Sequence, residues 1–280
     1  MLRPVDLRVI PRVLIVAGSD SGGGAGIQAD IKTVTMLGGY ASTAITALTA
    51  QNTLGVSEVM GVDSGFVREQ IRVVLDDIGA DAVKTGMLFS SRIIRVVADE
   101  LESRASNIPI VVDPVMVAKG GAALLEEDAQ AMLVKRLLPL AALVTPNLPE
   151  AEALTGLRAE SVDDLPRLAE RMLAFGCAAV LVKGGHLPGE RVVDVLRTVD
   201  GLAETFEGPR IHTRSCHGTG CTLASAIATG VGEGLTLVSA VQRAKRFVTR
   251  ALETAPGFGN GHGPLNHGWP LSEGDGIQRA

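Results

Sequence analysis

The sequence predicts an α/β fold with a mostly parallel sheet and an antiparallel edge, and three observations carry that expectation. Short β-branched runs alternate with longer stretches of helical period. One late segment, from 191 to about 213, has the pattern of a hairpin. No Pro/Gly/Ser-rich linker divides the chain and no period of 20–50 residues repeats, so a single domain is expected.

The alternation runs in order along the chain. It begins with the strand VLIVA (13–17), a helix near 25–37, the strand YASTAITAL (40–48) and a helix near 66–78. In that last helix Phe66, Ile71, Val74, Leu75 and Ile78 share one stripe while Arg68, Glu69, Arg72 and Asp76 face elsewhere. DAVKTG (81–86), a helix near 91–104, IPIVVD (108–113), a helix near 127–138 and AALVT (141–145) continue the pattern. A helix near 163–175, the strand AAVLVKGG (178–185), the hairpin and two helices near 219–232 and 236–254 complete it. Repeated strand-then-helix units imply parallel strands joined by right-handed crossovers. Residues 1–11 read as an N-terminal extension, 12–268 as the domain, and 269–280 as a loose tail.

Composition narrows the function classes. At 280 residues, 46% hydrophobic and 20% charged, the chain can bury a substantial core, which excludes disorder for most of it. The formal charge of −5 is spread without a basic block, which argues against a nucleic-acid partner. No apolar run approaches the roughly 20 residues that span a bilayer, and MLRPVDLRVIPR lacks a signal peptide's apolar core, so no membrane partner and a cytoplasmic location are expected. Cys177, Cys216 and Cys221 are too sparse for a disulfide framework and read as reduced thiols. Cys216 and Cys221 with His212 and His217 match no closed zinc spacing.

Two glycine-rich segments stand between a strand or loop and a helix. In the first, Gly18 to Gly26, backbone N–H groups at a helix start could meet an anion or a polar ligand. Gly24-Ala25-Gly26-Ile27-Gln28-Ala29 matches a dinucleotide fingerprint ending in Ala, but no acidic residue follows at about 20 positions, as that reading requires. GxxxxGK[ST] is absent, which excludes a P-loop. Glycines used only for a tight turn are the bland alternative.

The second segment is His217-Gly218-Thr219-Gly220-Cys221, before the small-residue helix Leu223–Ala228. Free N–H groups and the positive end of the helix dipole would converge near Gly218 to Cys221, a setting that stabilises a transferring phosphoryl group. A thiol there is expected to have its pKa lowered from about 8.5, and Cys221 could then act as a general base. An isolated Cys at a helix start is otherwise a small buried hydrophobe.

Seven stretches together closely resemble one family: AGSDSGGGAGIQADIKT (17–33), TALTAQNTLGV (46–56), KTGM (84–87), VVDPVM (111–116), TPNLPEAEALTG (145–156), VLVKGGH (180–186) and HGTGCT (217–222). It is the bacterial hydroxymethylpyrimidine/phosphomethylpyrimidine kinases of thiamine biosynthesis, and the resemblance spans about residues 12–268 in order. The resemblance implies a ribokinase-like fold, with a central, mostly parallel sheet flanked by helices on both faces. It implies ATP-dependent phosphorylation of 4-amino-5-hydroxymethyl-2-methylpyrimidine and then of its monophosphate, with Mg2+ required and a homodimer common. No thiamine-phosphate synthase domain follows residue 268, so the diphosphate is the expected end product.

Residue by residue, the resemblance places Gln51 against the aminopyrimidine, where a carboxamide offers both a donor and an acceptor. Gly18, Asp30, Thr49 and Met87 would complete the pocket, Thr49 replacing a Val found in some members. Cys221 falls at the proposed catalytic base and Gly218 and Gly220 in the anion hole. Asp113 and Glu150 would stand near magnesium and the phosphates, and Lys183 and Thr219 on the nucleotide side. Taken alone, Gln51 reads as a solvated loop residue, Met87 as core, and Asp-Pro or Asn-x-Pro-Glu as turns and helix caps. Two alternatives stay open: a pyridoxal/pyridoxine kinase, since related chains carry a Cys in this position, and a catalytically silent pyrimidine-binding regulator.

Overall fold

The computed structural model describes residues 10–116 and 128–273. Among them nine strands form one sheet, in the order β3-β2-β1-β4-β5-β6-β7-β8-β9. The parallel body comprises β2 (Tyr40–Asn52), β1 (Arg12–Asp20), β4 (Ala82–Thr85), β5 (Ile110–Val112), β6 (Leu143–Val144) and β7 (Ala179–Lys183). The interior strand β1 is apolar without alternation because both faces are covered. Leu14 and Val16 enter a core shared with Ile71 and Ile94, whereas Val13 and Ile15 enter a second core shared with Val34, Ile227 and Ala244.

Helices therefore lie on both faces. α2 (Ser64–Asp77), α3 (Ser91–Arg104), α5 (Leu148–Thr155) and α6 (Leu165–Leu173) contribute to the first core, and α1 (Gly26–Met36), α7 (Thr219–Gly232) and α8 (Leu237–Glu253) to the second. The small side chains of α7 set its position. Ala224, Ser225, Ala226, Ala228 and Thr229 are fully buried, and a Cβ on Gly230 would come within 2.9 Å of the Ala240 Cβ. A bulkier face could not pass between the sheet, α1 and α8 at that separation.

Most expected elements form within a few residues of their predicted bounds, and the differences have physical causes. The hairpin of β8 (Arg191–Thr198) and β9 (Ala203–Pro209) makes the expected antiparallel edge. A second antiparallel ribbon at the other edge, β3 (Gly55–Gly61) against β2, was not legible, because GVSEVMG is open to solvent along most of its length and shows no one-sided burial. α5 is hidden in sequence by Pro146 and Pro149; its start is an Asn147/Glu150 capping box and its end a left-handed Gly156. The helix expected near 127–138 runs as α4 (Ala129–Met132), loosens into a π-turn at Leu133–Leu137 and tightens into a 3-10 turn at Leu138–Leu140; residue 127 lies outside the described residues. Of the residues expected in a loose tail, 269–273 are described and ordered, and the rest lie outside the described residues, as do residues 1–9 of the expected N-terminal extension. The Trp269 indole N–H donates to the Phe247 carbonyl at 3.2 Å, and Pro270–Glu273 forms a short helix, α9.

The two glycine turns meet directly. Gly218, with φ +86, sits so close to the chain opposite that an added Cβ would lie 1.8 Å from the Gly24 carbonyl oxygen. Gly234 has almost the same φ, +87, with nothing within 4 Å of that point. Gly234→Ala is expected to cost about 1–2 kcal/mol, the penalty of a left-handed alanine. Gly218→Ala should cost distinctly more in urea unfolding; equal losses would mean that the 18–26 loop gives way freely.

Candidate active site

The parallel strands end on one side of the sheet, where α/β proteins place their ligand crevices. A cavity of about 1010 Å3 opens there. Its walls include the ends of β1, β4 and β5, the first turn of α7, and the 208–213 segment, which starts at the end of β9.

Asp20 organises the first glycine turn. Its Oδ1 accepts the Gly22 N–H at 2.8 Å, and Oδ2 accepts those of Gly24 at 3.1 Å and Ala25 at 2.8 Å. The carboxyl is held below its ordinary range: burial opposes this, but the bond from His217 and those from Ala25 and Gly22 outweigh it. Of the N–H groups expected to meet an anion or a polar ligand, Asp20 thus already takes three. The Gly26 N–H points instead to the Cys221 sulfur.

The second turn leaves its N–H groups open toward the cavity. Thr219, Gly220 and Cys221 open α7, where N–H groups lack acceptors inside the helix, and all three line the cavity. Lys183 Nζ donates to Asp113 Oδ1 at 3.0 Å, and a Cβ on Gly220 would sit 3.2 Å from that ammonium and 3.5 Å from Asp113 Oδ2. Gly220 is therefore the position that lets the charged pair approach the helix start. Thr145 Oγ1 also donates to Asp113 at 3.1 Å.

The predicted low pKa of Cys221 is overturned. Burial pushes the thiol up to about 12, with the charges of Asp30 and Asp113 adding to the rise and Lys84 and the Gly26 N–H opposing it. The residue keeps partial exposure, so reagents have access, yet the protein packed around it disfavours the thiolate more than two nearby helix N-termini favour it.

Asp30, expected in the substrate wall, stands one layer behind it. It is fully buried and accepts the Lys84 ammonium on both oxygens at 2.9 Å and the Ser225 hydroxyl at 2.7 Å. Lys84 reaches the cavity instead. Burial works against its charge, but Asp30, Cys221 and Asp113 outweigh that and hold its pKa above the ordinary value. Asp20, Lys84 and Ser225 were not singled out from sequence; Asp20 and Lys84 do fall inside the GSDSGGG and KTGM motifs.

Gly18, Thr49, Gln51 and Met87 share the cavity. A Cβ on Gly18 would lie 3.0 Å from the Met87 sulfur, so glycine lets that side chain close the wall. Thr49 Oγ1 lies 3.2 Å from Gln51 Oε1, and Gln51 Nε2 lies 3.2 Å from His217 Nε2. Glu150 also lines the cavity, while one oxygen caps α5 by accepting the Asn147 N–H at 2.8 Å. Burial raises its carboxyl to about 7, against the pull of Lys183, and the nearby Asp113 charge adds to the rise. Thr219 Oγ1 donates to the Cys216 carbonyl at 2.7 Å and so braces the turn from within.

A three-layer α/β fold whose strand ends open on a helix N-terminus, a lysine and two carboxylates is the kind of site that small-molecule phosphotransferases use. The phosphomethylpyrimidine kinase family profile matches residues 20–266. The chain is 54% identical over 256 residues to the thiamine biosynthesis bifunctional protein ThiED of Geobacter sulfurreducens, covering 91% of this chain and 52% of that protein. It is 49% identical over 264 residues to a hydroxymethylpyrimidine/phosphomethylpyrimidine kinase of Streptomyces coelicolor, covering 94% of this chain and 96% of that one. Among solved structures, the Bacillus subtilis pyridoxal kinase in complex with ADP aligns with TM-score 0.84 at 35% identity, covering 92% of this chain and 97% of that chain. The phosphomethylpyrimidine kinase of Clostridium difficile aligns with TM-score 0.76 at 42% identity, covering 87% and 99%. The chain belongs to the phosphomethylpyrimidine kinase family, an ATP-using kinase family with the ribokinase-like fold.

Alkylation of Cys221 by iodoacetamide, followed by peptide mass, should be slow at neutral pH and still accelerating at about pH 9.5, because only the thiolate reacts. A rate that levels off near pH 7 would contradict the raised pKa.

Proposed function

We propose that the chain transfers the γ-phosphoryl group of ATP to the hydroxymethyl group of 4-amino-5-hydroxymethyl-2-methylpyrimidine, and then to the resulting monophosphate. The observation that carries this reading is the meeting, in one cavity, of the Gln51 carboxamide and the open N-terminus of α7. One can hold an aminopyrimidine edge; the other can hold a phosphoryl group.

The roles follow from position. Gln51 and Thr49 hold the ring edge, with Gly18 and Met87 as an apolar wall and Asp30 acting through Lys84 rather than by contact. The N–H groups from Thr219 to Cys221, with Gly218 and Gly220 keeping the approach clear, stabilise the transferring group, and Lys183 adds positive charge. Cys221 is a thiol in the resting protein. It can take the alcohol's proton only after losing its own, a loss that the Lys84 charge favours against burial, and it has no such part with a phosphate acceptor, which is already ionised near neutral pH.

Asp113 and Glu150 suit a magnesium site that uses one or two carboxylates and leaves the remaining positions to phosphates and water. A buried pair of acids in which Asp113 helps raise Glu150 to about 7 is one that a cation would relieve. When bound, the ion would neutralise charge on the ATP phosphates. A cytoplasmic homodimer, with neither nucleic acid nor membrane as partner, completes the reading, carried by the family resemblance; no helix among the described residues is long and apolar enough to cross a membrane.

A second reading has a specific observation behind it: the aligned pyridoxal kinase has the higher TM-score of the two structures, 0.84 against 0.76. Comparing kcat/KM on the pyrimidine alcohol, its monophosphate and pyridoxal decides between them. The expected ranking puts both pyrimidines above pyridoxal, and a large preference for pyridoxal would displace the first reading. In the same assay Cys221→Ala should lower the first phosphorylation by about 100-fold or more, the scale of lost general-base help, and the second by much less; equal losses would reduce Cys221 to positioning.

A further inference from the structure

With its nitrogen toward His217, the Gln51 amide does not match the hydrogen-bond donors around it. Asp20 is 3% exposed, accepts three backbone N–H groups, and has its remaining close contact with His217 Nε2 at 2.9 Å. A carboxylate so placed can only accept, so His217 Nε2 carries a hydrogen whether the ring is neutral or charged. That N–H faces Gln51 Nε2 at 3.2 Å, which sets a donor against a donor.

The other end of the amide has two acceptors competing for one donor. The single hydrogen of Thr49 Oγ1 has two acceptors in reach, the Ser19 carbonyl at 3.0 Å and Gln51 Oε1 at 3.2 Å. It can serve one of them. If it serves Ser19, the Thr49 oxygen is left to accept, and it faces an acceptor. Turning the carboxamide by 180° removes both conflicts at once. The oxygen then becomes the second, longer acceptor of the His217 N–H, which it shares with Asp20 Oδ2, and the nitrogen donates to Thr49, whose own hydrogen is left for Ser19. Oxygen and nitrogen of an amide are told apart by this kind of accounting alone.

We propose that His217 and Thr49 are positioning residues that lock the Gln51 carboxamide with its oxygen toward His217 and its nitrogen toward Thr49, and so select ring edges bearing an amino group beside a ring nitrogen. The lock is one relay: Asp20 holds His217, His217 holds the amide oxygen, the amide nitrogen holds Thr49, and Thr49 holds Ser19. One amide N–H and one oxygen lone pair then remain for the cavity, a donor for a ring nitrogen and an acceptor for an amino group. A ring with an acceptor in place of the amino group meets a carbonyl that cannot rotate away, and is rejected. Gly24 is part of the arrangement, since a Cβ there would lie 2.5 Å from His217 Cδ2.

The selectivity half of this inference rests on the proposed pyrimidine kinase activity; the lock itself does not. The test uses the full chain in two arms. In the ligand-free protein, 15N NMR of labelled histidine should show His217 Nε2 protonated, and NOEs should run from the Gln51 side-chain NH2 to the Thr49 methyl group; an unprotonated Nε2 overturns the lock. With substrates, Thr49→Val should lower the kcat/KM preference for the aminopyrimidine alcohol over its 4-oxo analogue about fivefold, the scale of one hydrogen bond, and Thr49→Ser should restore it. An unchanged ratio, or no rescue by serine, overturns the selectivity claim. A wild-type chain that turns over neither alcohol defeats the functional reading and the selectivity claim together, while the NMR arm still decides the lock.

Discussion

The site depends on one close approach of backbone to backbone, where Gly218 at the start of α7 passes the Gly24 carbonyl with no room for a Cβ between them. These turns lie nearly two hundred residues apart in sequence, and each begins a helix whose N-terminus reaches Cys221. Side chains then hold the contact: His217 bridges to Asp20, and Ser225 to Asp30 through a hydrogen bond of 2.7 Å. Without the contact, Gln51 on β2 and the open first turn of α7 would not line one cavity.

Behind that contact lies a buried charge cluster that the chemistry makes intelligible. Lys84 and Asp30 are both fully enclosed, an arrangement whose desolvation cost makes it a weak source of stability. Its effect is positional. Two oxygens of Asp30 fix the ammonium at the cavity wall, close enough for its charge to oppose the rise in the Cys221 pKa. On the opposite side Lys183 and Asp113 flank Gly220. The thiol thus stands between two lysines, each held by its own acid, in surroundings where charge is costly and therefore effective once developed.

The order of the parallel body was legible because β1, β4, β5 and β7 are covered on both faces and read as apolar runs. β3 was not, because most of its residues face solvent and leave no pattern. The turn at Gly218 to Cys221 could be read as a helix start from its glycines and the small residues after it. Its electrostatics could not: the helix dipole is visible in sequence, whereas the burial that outweighs it is set by α1 and the sheet. Asp30 shows the same limit. A sequence places it in a motif, but only packing reveals that its carboxylate points to Lys84 and that Lys84 faces the cavity. Likewise, Asp20 inside a glycine-rich loop gives no sign that its carboxylate accepts three of that loop's N–H groups.

The account's central claim is that the two glycine turns deliver the acceptor hydroxyl to the start of α7. A crystal structure of the chain with the aminopyrimidine alcohol and a non-hydrolysable ATP analogue tests it most directly. The account predicts the ring edge on Gln51 and the hydroxymethyl oxygen within about 3.5 Å of the Cys221 sulfur, the reach of a near-attack arrangement. A ring seated against the 208–213 segment, or a hydroxymethyl group turned away from Cys221, would contradict it.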